Sequence, residues 1–235
     1  LLSNYGIHDP RILDIEKKLA LTNYFFATNW NMRSDGFNNS ANSNSSNSSQ
    51  GYYDISRVSS NSMGYRHGRE ALERRLEYML DMENIPAKNI AQARLELGDW
   101  LLMFKKRTAA LDLYEEAYVE ALASEIPQEE LNALFSPDYP ETIPGFIDYN
   151  YTRAAWNIPD DVALDYQGWI DLRFHLNRYG KPQNVEVLGR SLSVTEPIED
   201  RLTRHIRNAS SFRPRFKEDK LLEEDIIEAR YYYTY

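Results

Sequence analysis

Gly168-Trp169-Ile170-Asp171-Leu172-Arg173-Phe174-His175-Leu176-Asn177, with the turn Tyr179-Gly180-Lys181 and then Val185-Glu186-Val187-Leu188, decides how this chain is read. Ile170, Leu172, Phe174 and Leu176 alternate with Trp169, Asp171, Arg173 and His175, the two-residue period of a strand with one buried and one wet face. Gly180 supplies turn angles that other residues resist, and Val185 and Val187 resume the alternation on a return strand. Ile198, Leu202, Ile206 and Ala209 recur at helical spacing, which predicts a helix over 196–209 lying on the apolar face of that hairpin. A last strand is expected over 225–235, where Ile226, Ile227, Tyr231, Tyr232, Tyr233 and Tyr235 carry strong β preference. The predicted order is strand, strand, helix, strand.

Working outward from the hairpin, further residues fall in a recognisable order. Pro159 lies upstream, Ser191 follows Val185-Glu186-Val187-Leu188, and Phe212-Arg213-Pro214 follows the helix. With the Gly168 to Phe174 run and Gly180, this resembles the C-terminal domain of TonB and TolA-type energy transducers over about residues 156–235. The long Pro-rich, Lys-rich spacer and the membrane anchor of a true transducer have no counterpart in this sequence. The resemblance implies a small α+β domain that docks an outer-membrane partner by adding a strand to the edge of its sheet, a form of β-augmentation. Carried over, the docking residues are Arg230, Tyr231, Tyr232, Tyr233, Thr234 and Tyr235. An exposed strand needs no specialised side chain for this, because its N–H and C=O groups pair with any extended segment. Packing of the same tyrosines against the helix or the preceding linker is the structural alternative.

The N-terminal part reads differently. Pro10 at a helix start, capped by Asp9, and Ile12, Ile15, Leu19 and Phe26 at helical spacing predict a helix over 11–28. Residues 37–50 are almost entirely Asn and Ser, too polar to offset the entropy of ordering them, and are expected to form a flexible insertion. Leu72, Leu76, Met79 and Leu80 predict a helix over 66–83, and two more follow over 87–104 and 107–123. Leu97, Gly98, Leu101, Ala110, Tyr114 and Ala117, with Pro127 beyond, resemble a tetratricopeptide repeat, in which small residues sit where two helices cross and a large one fills the gap. One such hairpin cannot bury its apolar face alone, so the first two helices are expected to stack on it as a repeat-like pair. The resemblance places Gln92, Leu95, Asp99, Leu102 and Met103 towards a concave peptide groove, although Leu102 and Met103 suit a core as well.

The expected architecture is α+β in two parts. Antiparallel, tetratricopeptide-like helical hairpins occupy 1–135, a Pro- and aromatic-rich linker 136–160, and a TonB-like ββαβ domain 161–235. At 235 residues and 42% hydrophobic content the chain can build one substantial core or two modest ones, and its net charge of −9 argues against a general affinity for nucleic-acid phosphates. Over 161–235 there are 12 Lys and Arg against 13 Asp and Glu, so most of the negative charge belongs to the helical part, and Arg201, Arg204, Arg207, Arg213 and Arg215 are expected to form local salt bridges. Without cysteine no disulfide or thiol nucleophile is available. His8, His67, His175 and His205 have no metal-ligand spacing, and Gly189-Arg190-Ser191-Leu192-Ser193 lacks the second glycine of a nucleophile elbow. The reading is a non-enzymatic adaptor of a TonB-type transport system in the periplasm of a Gram-negative envelope, without cofactor or metal. Its partner would be an outer-membrane receptor or an inner-membrane transport complex, or a second copy joined through the edge strand. A structural envelope scaffold without a transducing role is the alternative. The chain begins at Leu1, so a signal or anchor segment is expected to have preceded it.

Overall fold

The computed structural model describes residues 9–38, 63–124, 126–135, 146–148, 168–208, 210–217 and 220–233, with side chains for all of these except 25–38, 146–148 and 233. The chain is mixed helix and sheet and divides into two compact units, 1–126 and 127–235. Among the described residues no helix is long and apolar enough to cross a membrane.

Four helices build the first unit: α1 (Pro10–Asn38), α2 (Met63–Asp81), α3 (Ala87–Met103) and α4 (Arg107–Ala123). Each packs on the next in sequence. Gly98 faces the Tyr114 ring so closely that a Cβ there would lie 2.7 Å from it, which lets α3 and α4 approach at the expected crossing, with Ala110 and Ala117 fully buried alongside. Gly68 does the same between α2 and α3, where a Cβ would meet the Trp100 ring at 2.2 Å. Gly64 stands one repeat length before Gly98, but it is Gly68, one helical turn later, that makes the contact. Glu96 on α3 receives Lys17 of α1 at 2.7 Å and Arg75 of α2, so one carboxylate ties three helices together.

Three expectations for this unit need correction. Ile15 and Leu19 are about two-fifths exposed, and the buried face of α1 runs instead through Ile12 and Ala20. The stripe has rotated because Glu16, which lies between those two on the same face, is held by Arg74 at 2.8 Å and brings its stretch of helix against α2. Leu80 is also exposed, since α2 ends at Asp81 with Met79 as its last buried residue. Helix α1 continues to Asn38, into the stretch assigned to the insertion; the remainder of that insertion, 39–50, lies outside the described residues.

The second unit begins with a helix the sequence reading did not expect, α5 (Gln128–Leu134), and continues with β1 (Phe146–Asp148), β2 (Gly168–Asn177), β3 (Pro182–Arg190), α6 (Glu196–Asn208), the short pair β4 (Phe216–Lys217) and β5 (Lys220–Leu221), and β6 (Glu224–Tyr233). Leu131 and Leu134 bury one side of α5, and the Leu134 carbonyl accepts a hydrogen bond from Arg213 at 2.6 Å, so 127–135 belongs with the sheet and the unit boundary falls at 126 instead of 135. The main sheet has the order β1-β6-β2-β3, all antiparallel. Strand β2 buries every second residue as its alternation demands, and Ile170, Leu172, Phe174 and Leu176 meet Leu202 and Ile206 of α6 in one core with Tyr231. Glu196 and Glu199 begin α6, and His205 and Arg207 end it, charges that suit its backbone dipole.

Two of the positions that carried the TonB resemblance are joined here. Gly180 has φ +66°, and its carbonyl accepts the Phe212 N–H at 2.8 Å. A Cβ there would lie 1.6 Å from the Phe212 carbonyl oxygen, while the Phe212 ring sits 5.3 Å from that of Phe174. The turn glycine and the aromatic-x-Pro segment are thus two sides of one contact. Ser191 is equally specific, because its Oγ accepts the Trp169 N–H at 3.0 Å just where β2 begins.

Candidate functional site: the outer edge of the last strand

Antiparallel strands point the N–H and C=O groups of successive residues to opposite sides, so fixing the direction of one residue fixes its strand. On β2, Trp169 exchanges hydrogen bonds with Ser191 and Asn177 donates to the Lys181 carbonyl, so the odd-numbered residues of β2 turn towards β3 and the even-numbered ones towards β6. The register pairs Ile170 with Tyr231, Leu172 with Ala229 and Phe174 with Ile227 without a break over ten pairs. On β6, therefore, Asp225, Ile227, Ala229, Tyr231 and Tyr233 bond to β2, and Glu224, Ile226, Glu228, Arg230 and Tyr232 present their backbone groups to the other side. An independent contact agrees: the Ile226 N–H is taken at 3.0 Å by the Asp225 carboxylate, which it reaches by facing away from β2.

That outer side is occupied at one end. Strand β1 pairs there, with Phe146 opposite Tyr233, Ile147 opposite Tyr232 and Asp148 opposite Tyr231. Residues 146–148 lie in the Pro- and aromatic-rich linker, yet they form a strand. Of the two readings of Tyr231, Tyr232 and Tyr233, an open edge or packing within the domain and against the linker, the second holds: they lie between β1 and β2, and Tyr231 is a buried core residue. Thr234 and Tyr235 are outside the described residues. The stretch 224–230 has no strand partner on its outer side among the described residues.

The open face of the sheet beside this edge is a ladder of opposite charges. Arg230 grips Asp171 in a two-pronged contact at 2.6 and 2.7 Å and lies 4.1 Å over the Trp169 ring, and the Asp171 carboxylate raises the guanidinium above its already high range. Arg173 meets Glu228 at 2.7 Å, and the His175 Nδ1 meets Glu224 at 2.6 Å. Glu223 contacts Arg178 at 3.1 Å and Asp225 contacts Arg215 at 3.2 Å. With the side chains matched in sign across β2 and β6, what the edge offers an incoming chain is backbone.

The opposite flank, β3, is a poorer template. Its register against β2 shifts twice, Asn184 takes φ +49°, and the strand starts with a proline, all devices that blunt an edge.

In the helical unit, Leu95 and Leu102 are buried in the interior and cannot line a groove, which corrects their assignment to a concave binding face. Asp99 accepts the Tyr114 hydroxyl at 2.9 Å, and the Gln92 amide lies 3.4 Å from Glu96. Gln92 and Met103 are half-buried. The repeat resemblance placed these five residues towards one groove, but α3 packs against both α2 and α4 and buries most of its circumference. Among the described residues no cluster of His, Asp or Glu is placed to hold a metal ion. No family model, curated protein or solved structure matches the chain.

Proposed function

We propose that this chain is a binding adaptor of a TonB-type envelope transport system, not an enzyme, and that it docks an extended segment of a partner protein by strand addition. The partner would be an outer-membrane receptor or a component of an inner-membrane transport complex, met in the periplasm. One observation carries the reading: β6 runs unbroken for ten residues beside β2, and over 224–230 its outward backbone groups have no strand partner among the described residues. The joined roles of Gly180 with Phe212, and of Ser191 at the start of β2, add support, since these positions carry the resemblance to the TonB and TolA-type domain. The helical unit, repeat-like in its stacking, would act as a second protein-binding surface. The docking residues of this reading are Glu224, Ile226, Glu228 and Arg230, in place of the tyrosine-rich end.

A photo-crosslinking residue at Ile226, which is 57% exposed on this strand, tests it against the same residue at the fully exposed Leu192 between β3 and α6. The expected result in envelope preparations is one dominant adduct through position 226, identified by mass spectrometry as a transport-system protein, and none through position 192. Equal, diffuse labelling at both positions would overturn the docking role. Self-pairing by β1 favours the second reading, a structural scaffold whose edge serves only its own fold, and that reading gains if position 226 yields no adduct.

A further inference from the structure

The edge on which docking depends is already begun by the chain itself. By the alternation set out above, Tyr232 is the residue of the β6 end whose N–H and C=O face β1, and Ile147 stands directly opposite it. Ile147 and Tyr232 therefore form the mutually bonded pair, while Phe146 and Asp148 turn their backbone groups away from β6. A strand of three residues gains one such pair and loses the freedom of each residue it orders, on the order of 1 to 2 kcal/mol apiece. Its advantage is the covalent tether, which holds it near its site at an effective concentration of roughly millimolar. A segment pairing along 224–232 would engage Glu224, Ile226, Glu228 and Arg230 as well. At the far end the chain keeps a smaller guard, the Asp225 carboxylate on the Ile226 N–H.

We propose that Phe146–Asp148 is a tethered competitor, an autoinhibitory strand that holds the Tyr232 end of the edge until a longer extended segment displaces it. The inference rests on the docking reading for the identity of that displacing segment, but the exchange itself can be measured without a partner. What β6 selects at this end is an extended backbone with a free donor opposite Tyr232, so the chain's own strand supplied in trans is a sufficient probe.

The experiment uses the whole chain, wild type and Ile147→Pro, titrated against a labelled peptide of residues 144–150 and followed by fluorescence anisotropy. The substitution removes the Ile147 donor while leaving β6 and β2 untouched. The expected outcome is peptide binding at least tenfold tighter to Ile147→Pro than to wild type, and its loss when the peptide carries N-methyl isoleucine at position 147. Hydrogen exchange at the Tyr232 amide should accelerate in the variant and slow again on adding peptide. A second variant, Phe146→Gly with Ile147→Gly and Asp148→Gly, lowers the strand preference of this segment, guards against a misfolded proline substitution and should behave alike. Equal affinity of wild type and both variants, absence of binding to all three, or unchanged exchange at Tyr232 would overturn the proposal. Crosslinking at Ile226 separates the two readings: peptide exchange without a partner adduct sinks docking alone, and a partner adduct with no peptide exchange sinks the competitor alone.

Discussion

Gly180 is where chain conformation and packing make the same demand, and they can be told apart. At φ +66° a side chain is strained, and a Cβ would also run into the Phe212 carbonyl oxygen. Gly180→Ala is expected to cost about 2 kcal/mol or more, read from the shift of the urea midpoint at constant slope. Asparagine tolerates the left-handed region far better than alanine, so backbone strain predicts partial recovery in Gly180→Asn. Collision with Phe212 predicts none, and the structure favours that outcome because the obstacle is backbone. A second residue-scale expectation concerns Asp9, whose carboxylate accepts the Arg11 side chain and then the Arg11 N–H, and is drawn from 3.8 down to about 2. A carboxyl depressed in the folded chain helps above its unfolded value and stops helping as pH falls through the folded one. The N-terminal turn of α1 should thus hold to near pH 4 and loosen towards pH 2, visible in the carboxyl carbon shift of Asp9. Both residues were legible in the sequence, because a turn glycine and a helix cap act through their immediate neighbours. The Phe212 contact was not, since it joins positions 32 apart that no local pattern links.

Elements were readable in proportion to their length and regularity. Strand β2 runs Gly168–Asn177, matching the span its alternation predicted, and α3 and α4 lie within a residue of expectation. Strand β1 was hidden because three residues cannot display a period and prolines stand on both sides of it. The partner it found on β6 is a long-range fact, and it is why the stretch of β6 without an outer strand partner among the described residues lies at 224–230 and not at the tyrosines. Two variants probe these elements. Glu228→Pro removes an outward donor from β6 without touching the bonds to β2, whereas Glu228→Ala loses just the contact with Arg173. The first should abolish the Ile226 adduct and the second should keep it, with both variants folded by circular dichroism; an adduct surviving the proline would sink edge docking. In the helical unit, Tyr114→Phe deletes the hydroxyl held by Asp99, at a cost of about 1 kcal/mol. Asp99→Ala combined with it should cost little more than either change alone, and full additivity in that double-mutant cycle would show the pair does not interact.

At the scale of the whole molecule, the chain divides at residue 126 into two compact units, each with its own buried residues. One is built round Tyr114 and Leu95 and their helical neighbours, the other round Phe174, Ile170 and Leu202. The sequence showed that two units exist, from the switch between helical and two-residue periods, but it misplaced the seam, because the short helix α5 looks like the helices before it yet belongs to the second unit, its Leu134 carbonyl held by Arg213. Two cores make a thermodynamic statement that can be measured on the intact chain. Phe174 is fully buried between β2 and α6, and truncating it to alanine removes about 3 to 5 kcal/mol from the core that contains it. Tyr114→Ala does the same for the helical core. Calorimetry of the wild-type chain should show two transitions, with Phe174→Ala lowering one by more than about 10 °C and Tyr114→Ala lowering the other by a similar amount. If either substitution moved both transitions equally, the units would melt as one cooperative body, and an event at the β6 edge would be felt throughout the helical unit. Independent melting would make the sheet unit separable from the helices, so that the proposed exchange of β1 could proceed while the helices stay folded.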